Sequence, residues 1–263
     1  MTEQVLITTI DQRGVARLTM NRPEIRNAFN EELICGICDA MGRLNSDPNV
    51  RVIVLTGAGK AFSAGADLNM MKRAANFSAA ENKDDARRLA HMLSSIYHSP
   101  KPTVALVNGP AMGGGLGLIA ACDIAIGADT SFFALSEVRV GLIPAVISPF
   151  VIQAITVRRA RRYFLSGERF DAATAADIGL LHKVVPAAAL NDELETLLTE
   201  LLACGPDAQG LAKELIRKVA YRPLAEPVME ETAGMIAKTR ASEEGKEGIT
   251  AFLEKRKPNW VSE

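Results

Sequence analysis

The sequence predicts an α/β chain with an α+β-like layout: stacked β–β–α turns followed by a helical C-terminal region. Three observations carry this. Short apolar runs of strand length alternate with helix-length segments through the front of the chain. Two strand-to-glycine units, RVIVLTG and TVALVNG, echo one another, which suggests stacked β–β–α turns rather than a named solenoid. From Leu190 onward only helical patterns remain.

The elements follow in order. Val5 to Ile10 and Val15 to Met20 are β-like runs joined by Asp11-Gln-Arg-Gly14, a hairpin signal that Asn21-Arg-Pro23 terminates. Asn30 to Leu44 reads as a helix with Asn30 as its N-cap. Arg51 to Thr56 is a short apolar strand that runs into a Gly/Ala-rich loop, Gly57 to Gly65. Ala79 to Tyr97 is a long helix, polar at first and then amphipathic. After Ser99-Pro-Lys-Pro102 come a strand (Thr103 to Val107), a turn (Asn108-Gly-Pro110), a helix opened by Gly113-Gly-Gly115 and a strand (Asp123 to Gly127). The remaining helix candidates are Val157 to Leu165, Ala172 to Asp177, Leu190 to Ala203, Ala208 to Val219, Pro227 to Thr239 and Ser242 to Lys255. The expected division is a core over residues 1–189 and a helical region over residues 190–263.

Composition narrows the function. The 263 residues are 48% hydrophobic and 23% charged, an ordinary globular balance, ample for a core without disulfides or a structural metal. Thirty basic and 31 acidic residues give a net charge of -1, so no nucleic-acid partner is expected. The N-terminus lacks the basic and apolar regions of a signal peptide, and no apolar run reaches the roughly 18 residues of a membrane span. A cytoplasmic, reducing location without membrane contact is the expectation. Cys35-Gly-Ile-Cys38 spells C-x-x-C, but inside a helix pattern and without a second pair it reads as small buried helix residues. The three histidines are scattered, so no metal is expected.

Two glycine-rich segments carry the chemistry: Gly57-Ala-Gly-Lys-Ala-Phe-Ser-Ala-Gly-Ala-Asp-Leu68 and Asn108-Gly-Pro-Ala-Met-Gly-Gly-Gly-Leu-Gly-Leu118. Each follows an apolar strand. Small residues let backbone approach a ligand, and N–H groups at a helix start hold negative oxygen. Two such groups converging on one atom would form an oxyanion hole. Gly115-Leu-Gly-Leu-Ile-Ala120 also spells the dinucleotide pattern G-x-G-x-x-A, but Asp123-Ile-Ala-Ile126 begins too soon for a full crossover helix. Glu137 is a lone carboxylate among apolar neighbours. It reads either as an acid/base with a raised pKa or as a helix-start charge paired with Arg139.

The segments AFSAGADL, NGPAMGGGLGL, ACDIAIGAD, FALSEVRVGLIP, LSGERFDAATAADIGLLHKVV and AFLEKRKP together resemble the crotonase (enoyl-CoA hydratase/isomerase) superfamily, in order from Val5 to Pro258. The resemblance implies a crotonase spiral of β–β–α units with a C-terminal helical region used for trimer formation, as a homotrimer or dimer of trimers. It implies an acyl-CoA thioester as substrate, coenzyme A being part of that substrate and no separate cofactor. It implies a place in fatty-acid or branched-chain catabolism. The oxyanion N–H groups map onto Ala66 and Gly114. CoA contacts map onto Arg26 and Ala28, onto Ala64, Ala66, Asp67 and Leu68, and onto Phe252 and Lys255, which reach the neighbouring subunit's CoA. The sequence departs from the two-carboxylate pattern: Gly117 occupies the position of the first glutamate, whereas Glu137 retains the second. The run SEVRVGLIPAVISPFVIQAI resembles the methylglutaconyl-CoA and isohexenylglutaconyl-CoA hydratase branch, for whose distal carboxylate Lys72 and Arg139 are candidates.

The expected activity is hydration of a 2-enoyl-CoA, with Glu137 as the catalytic acid/base. A single carboxylate also suits an enoyl-CoA isomerase. A non-catalytic acyl-CoA binder is the alternative from another class, opposed by the retention of Glu137 beside both glycine segments.

Overall fold

The structure, a computed structural model, describes residues 4–261; residues 1–3 and 262–263, the outer ends of the two expected regions, lie outside the described residues. In chain order the elements are β1 (Leu6–Ile10), β2 (Val15–Met20), α1 (Glu31–Ser46), β3 (Val52–Gly57), α2 (Leu68–Ala74), α3 (Ala79–Tyr97), β4 (Thr103–Val107), β5 (Ala111–Met112), α4 (Gly114–Ala121), β6 (Ile124–Ala128) and β7 (Phe132–Ala134). They continue with α5 (Ser148–Ser166), β8 (Arg169–Asp171), α6 (Ala172–Asp177), β9 (Lys183–Val185), α7 (Leu190–Ala203), α8 (Pro206–Val219), α9 (Glu226–Ala241) and α10 (Glu243–Glu254).

The main sheet runs β1-β2-β3-β4-β6-β9, and a smaller sheet runs β5-β7-β8. Strands β1 and β2 are an antiparallel hairpin; every later pair in the main sheet is parallel. Two successive turns put one strand in the main sheet and one in the small sheet, then return through a helix: β4-β5-α4, then β6-β7-α5; the turn before them runs from β3 through α2 and α3. This is the α/β layout of stacked turns followed by helices that the sequence predicts.

The strands read as unbroken apolar runs because both faces of the sheet are covered. Leu18, Met20, Ile53, Leu55 and Val107 belong to one buried cluster with residues of α1, α3, α4 and α5. Val52, Val54, Val104, Leu106 and Ile126 pack against Leu190, Leu194 and Leu198 of α7. Asn30 caps α1 by accepting from the Leu33 N–H, and Ser78 and Glu81 form a capping box on α3. By contrast, α8, α9 and α10 together bury only Ala251. Ile216, Ile236, Phe252 and Leu253 on these helices stand exposed.

The structure differs from the sequence reading at several points. Helix α5 starts at Ser148, well before Val157, and is interrupted at Thr156 (φ 69°, ψ 159°), so only its second half shows a clean period. Strands β5, β7, β8 and β9 have two or three residues each, too few to display an alternation. Cys35, expected to be buried, is exposed, and Cys38 is half-buried. The buried stripe of α1 is Leu33, Ile34, Ile37, Ala40, Met41 and Leu44, and the two cysteines flank it. Among the described residues no helix is long and apolar enough to cross a membrane.

Candidate active site

The two glycine-rich loops lie side by side because short parallel bridges stitch them together. Phe29 pairs with Ala66, and Ser63 pairs with Ala111. The Phe29 N–H donates to Gly65 O (2.7 Å), and the Asp67 N–H donates to Phe29 O (2.9 Å). Peptide groups alternate along extended chain, so the intervening Ala66 N–H turns to the opposite edge. On the other side the Met112 N–H donates to Ser63 O (2.9 Å) and the Gly113 N–H to Ala134 O (2.9 Å). The chain then turns sharply at Gly113 (φ 49°, ψ -116°) into α4. Among the described residues neither the Ala66 nor the Gly114 N–H has a protein acceptor.

Ala66 and Gly114 both line one cavity of about 920 Å³. Its walls are mostly apolar: Leu68, Met71, Leu89, Leu142, Ile143 and Ile147 among them. Glu137 enters it from a 3-10 turn, Ser136–Val140. A methyl group on Gly113 would lie 3.0 Å from Glu137 Oε1, so the carboxylate occupies the space that this glycine leaves open. Likewise a methyl group on Gly65 would lie 3.4 Å from the Gly114 nitrogen. The glycines thus bring the two N–H groups and the carboxylate into one neighbourhood.

Glu137 is poised rather than paired. Its Oε2 is buried without a hydrogen-bond partner among the described residues. Arg139, the expected ion-pair partner, instead donates through Nε to Gly167 O (2.9 Å). Burial in the apolar cavity pushes the Glu137 carboxyl above its ordinary pKa.

The position of the absent glutamate is closed. A side chain starting at Gly117 would meet Ile147 Cγ2 at 2.4 Å and Ile147 Cβ at 2.9 Å. Ile147 therefore fills the space where a second carboxylate would otherwise point inward. The side chains with ionisable or hydroxyl groups on the cavity wall are Ser136, Glu137, Arg139 and Arg169.

The other expected residues divide. Ala64 and Leu68 line the cavity. Arg26 lines an adjoining groove with Pro23, Lys60, Pro110 and Phe132, joined to the main cavity through Ala64, Met112 and Arg169. Ala28 is buried and accepts from Arg22 Nη1 through its carbonyl (2.6 Å). Asp67 is buried, and its carboxylate holds Arg22 and caps α2 rather than lining the cavity. Lys72 is exposed on α2 and, unlike Arg139, is no part of the cavity wall. Phe252 and Lys255 lie at the exposed end of α10 and line neither space within this chain.

Lys60 and Arg169 escaped the sequence reading. Lys60 had a signal, being a lysine within the loop after β3. Arg169 had none, because β8 meets β7 only through long-range pairing. The Arg169 guanidinium lies 4.9 Å over the Phe132 ring.

Comparison with known proteins gives the same picture. Residues 11–263 match the family described as Enoyl-CoA hydratase/isomerase. A Thermus thermophilus relative, provisionally named an enoyl-CoA hydratase, is 36% identical over 95% of this chain and 99% of its own. A crystal structure from Legionella pneumophila, provisionally named an enoyl-CoA hydratase/isomerase (crotonase), superposes with a TM-score of 0.92 at 44% identity, covering 98% of this chain and 99% of that one. An enoyl-CoA hydratase structure from Shewanella pealeana gives a TM-score of 0.94 at 39% identity over 97% and 96%. With the match running through both glycine loops, Glu137 and the C-terminal helices, the chain belongs to the enoyl-CoA hydratase/isomerase family.

Proposed function

We propose that this protein hydrates a 2-enoyl-CoA, with Ala66 and Gly114 as the oxyanion-hole donors and Glu137 as the acid/base. The observation that carries this is the meeting of two backbone N–H groups without acceptors and an unpaired, buried carboxylate at one apolar cavity. Conjugate addition to an enoyl thioester moves negative charge onto the thioester oxygen. Donors preset at that oxygen stabilise the transition state more than the ground state. Water bonds to the β-carbon as Glu137 takes one of its protons. The resulting enolate accepts that proton at the α-carbon, so the elements of one water add across the double bond and Glu137 returns to its charged form.

Arg26, Lys60 and Arg169 give the adjoining groove the cations that the CoA phosphates require. Phe252 and Lys255 serve a neighbouring copy in a homotrimer or dimer of trimers, which would also cover the exposed apolar residues of α8 to α10. CoA enters as part of the substrate and leaves as part of the 3-hydroxyacyl-CoA product. The finer assignment is a 3-methylglutaconyl-CoA-like acyl group with its distal carboxylate at Arg139, whose Nε is anchored on Gly167. The protein acts in the cytoplasm.

A second reading, enoyl-CoA isomerisation, is favoured by one observation: Ile147 closes the second-carboxylate position, and one carboxylate suffices to carry a proton between two carbons. The test offers the purified protein crotonyl-CoA, 3-methylglutaconyl-CoA and a 3-enoyl-CoA. Loss of the conjugated-enoyl absorbance from the first two supports hydration. Its appearance from the third, without loss from the others, replaces hydration by isomerisation. Silence on all three leaves a binding protein.

A further inference from the structure

A brace outside the cavity ties together the two segments that meet at Ala66. Arg22 spans two chain segments with one guanidinium. Its Nη2 lies 3.0 Å from Asp67 Oδ2, and its Nη1 donates to Ala28 O at 2.6 Å. The side chains are only 15% and 9% exposed, so this is a nearly dry ion pair. The residues it clamps, Ala28 and Asp67, flank the Phe29–Ala66 bridge. Neither Arg22 nor Asp67 lines the cavity.

A second set of bonds stiffens the same place. Asn27, fully buried, donates from Nδ2 to Ala58 O (2.9 Å) and Ala61 O (2.8 Å), and its Oδ1 accepts from the Arg22 N–H (2.9 Å). Ser63 donates to Asn27 O (2.9 Å) and accepts from the Gly65 N–H (3.2 Å). Arg26 and Asn27 both hold φ at 56°, a left-handed conformation that non-glycine residues keep only when their surroundings over-determine it. The buried ion pair and the left-handed residues thus lie on the segment that pairs, through Phe29, with the loop carrying the Ala66 N–H.

We propose that Arg22 and Asp67 are positioning residues for this reaction: their ion pair fixes the angle at which the Ala66 N–H meets the substrate's thioester oxygen. The proposal rests on the oxyanion reading of Ala66. A guanidinium fork is required because one side chain must hold both Ala28 O and the Asp67 carboxylate, which an ammonium group does not span. A small misaiming of such a donor costs rate rather than CoA affinity.

The test compares Arg22→Gln, Asp67→Asn, Arg22→Lys and the Arg22→Gln/Asp67→Asn double variant. Four quantities are read: kcat and KM on a turned-over enoyl-CoA, affinity for CoA itself, melting temperature, and the ultraviolet enolate band of bound acetoacetyl-CoA. Each single variant is expected to lose kcat by roughly ten- to a hundred-fold. Their enolate bands weaken, while KM and CoA affinity hold. Arg22→Gln also melts earlier, because it leaves Asp67 buried and unpaired. The double variant removes both charges and regains melting temperature, yet stays slow. Arg22→Lys regains stability in part and stays slow as well. Wild-type kcat and enolate band in the single variants, or recovery of both along with stability in the double variant, would overturn the proposal. Should the wild type hydrate no enoyl-CoA but still raise the enolate band, the hydratase assignment falls and the band alone decides the brace. A wild type that does neither overturns both.

Discussion

At the scale of single residues, Glu137, the acid/base of the proposed reaction, loses stability by being buried. Burial raises its carboxyl pKa, so its charged form is disfavoured in the folded state relative to the unfolded one. The sign follows from linkage. A raised pKa contributes stability present below the unfolded value and lost as pH rises through the folded value. Glu137→Gln is therefore expected to abolish turnover, keep CoA affinity, and melt above the wild type by a margin that widens from acidic to neutral pH. Melting curves across that range check this; a margin that shrinks with rising pH contradicts it. The same direction of shift is expected to move the acid limb of the kcat/KM profile up from where a free carboxyl would put it, because the proposed hydration needs the carboxylate. Removal of one oxyanion donor is worth about 3–4 kcal/mol of transition-state stabilisation, more than any single contact along the apolar cavity wall.

At the scale of elements, glycines decide what α4 and its preceding turn can present. Gly113→Ala must place a methyl group at φ 49° and 3.0 Å from Glu137 Oε1. The expected result is loss of turnover with helix content preserved, read by kinetics beside circular dichroism. Gly117 makes the reciprocal case. Gly117→Glu alone collides with Ile147 at 2.4 Å and should destabilise the fold on the order of 3 kcal/mol. Coupled with Ile147→Gly, the glutamate gains room to enter the cavity. The double variant is then expected to recover stability and to raise hydration relative to isomerisation. An unchanged product ratio in a folded double variant would show that a second carboxylate adds nothing here.

At the scale of the whole molecule, the front of the chain is finished and the back is not. The sheet is buried on both faces, and α7 closes its outer side. Arg51 binds the end of α7 through Leu202 O (3.3 Å) and Cys204 O (2.8 Å), while Lys213 pairs with Asp123 (2.6 Å) to anchor α8. Beyond those anchors, Phe252 is 83% exposed and Leu253 73%. Such apolar side chains are expected to be covered by other copies of the chain. Light scattering should give three or six chains per particle. Phe252→Ala should raise KM without changing kcat if that side chain reaches a neighbour's CoA; a monomer with unchanged KM would reject this arrangement.

The sequence by itself determined the elements whose signal is local. The β1–β2 hairpin, the Asn30 cap, the long α3 helix and the helical run from Leu190 are written in periodicity, caps and turn residues, and they fold where those signals lie. The two glycine loops are legible as a candidate site because their composition suits close backbone approach, and Glu137 because it is a lone carboxylate among apolar neighbours. What the tertiary structure alone decided is relational. Strands of two or three residues exist only because a partner pairs with them. Asp67 looks like a ligand-facing residue beside Ala66 until Arg22 is seen to occupy its carboxylate. Arg139 stands two residues from Glu137, yet it binds Gly167 instead. Ile147 closes the space at Gly117, which no local pattern announces. The physical reason is that periodicity and capping act within a few residues, whereas ion pairs and steric exclusion act through space between segments that only the finished spiral brings together.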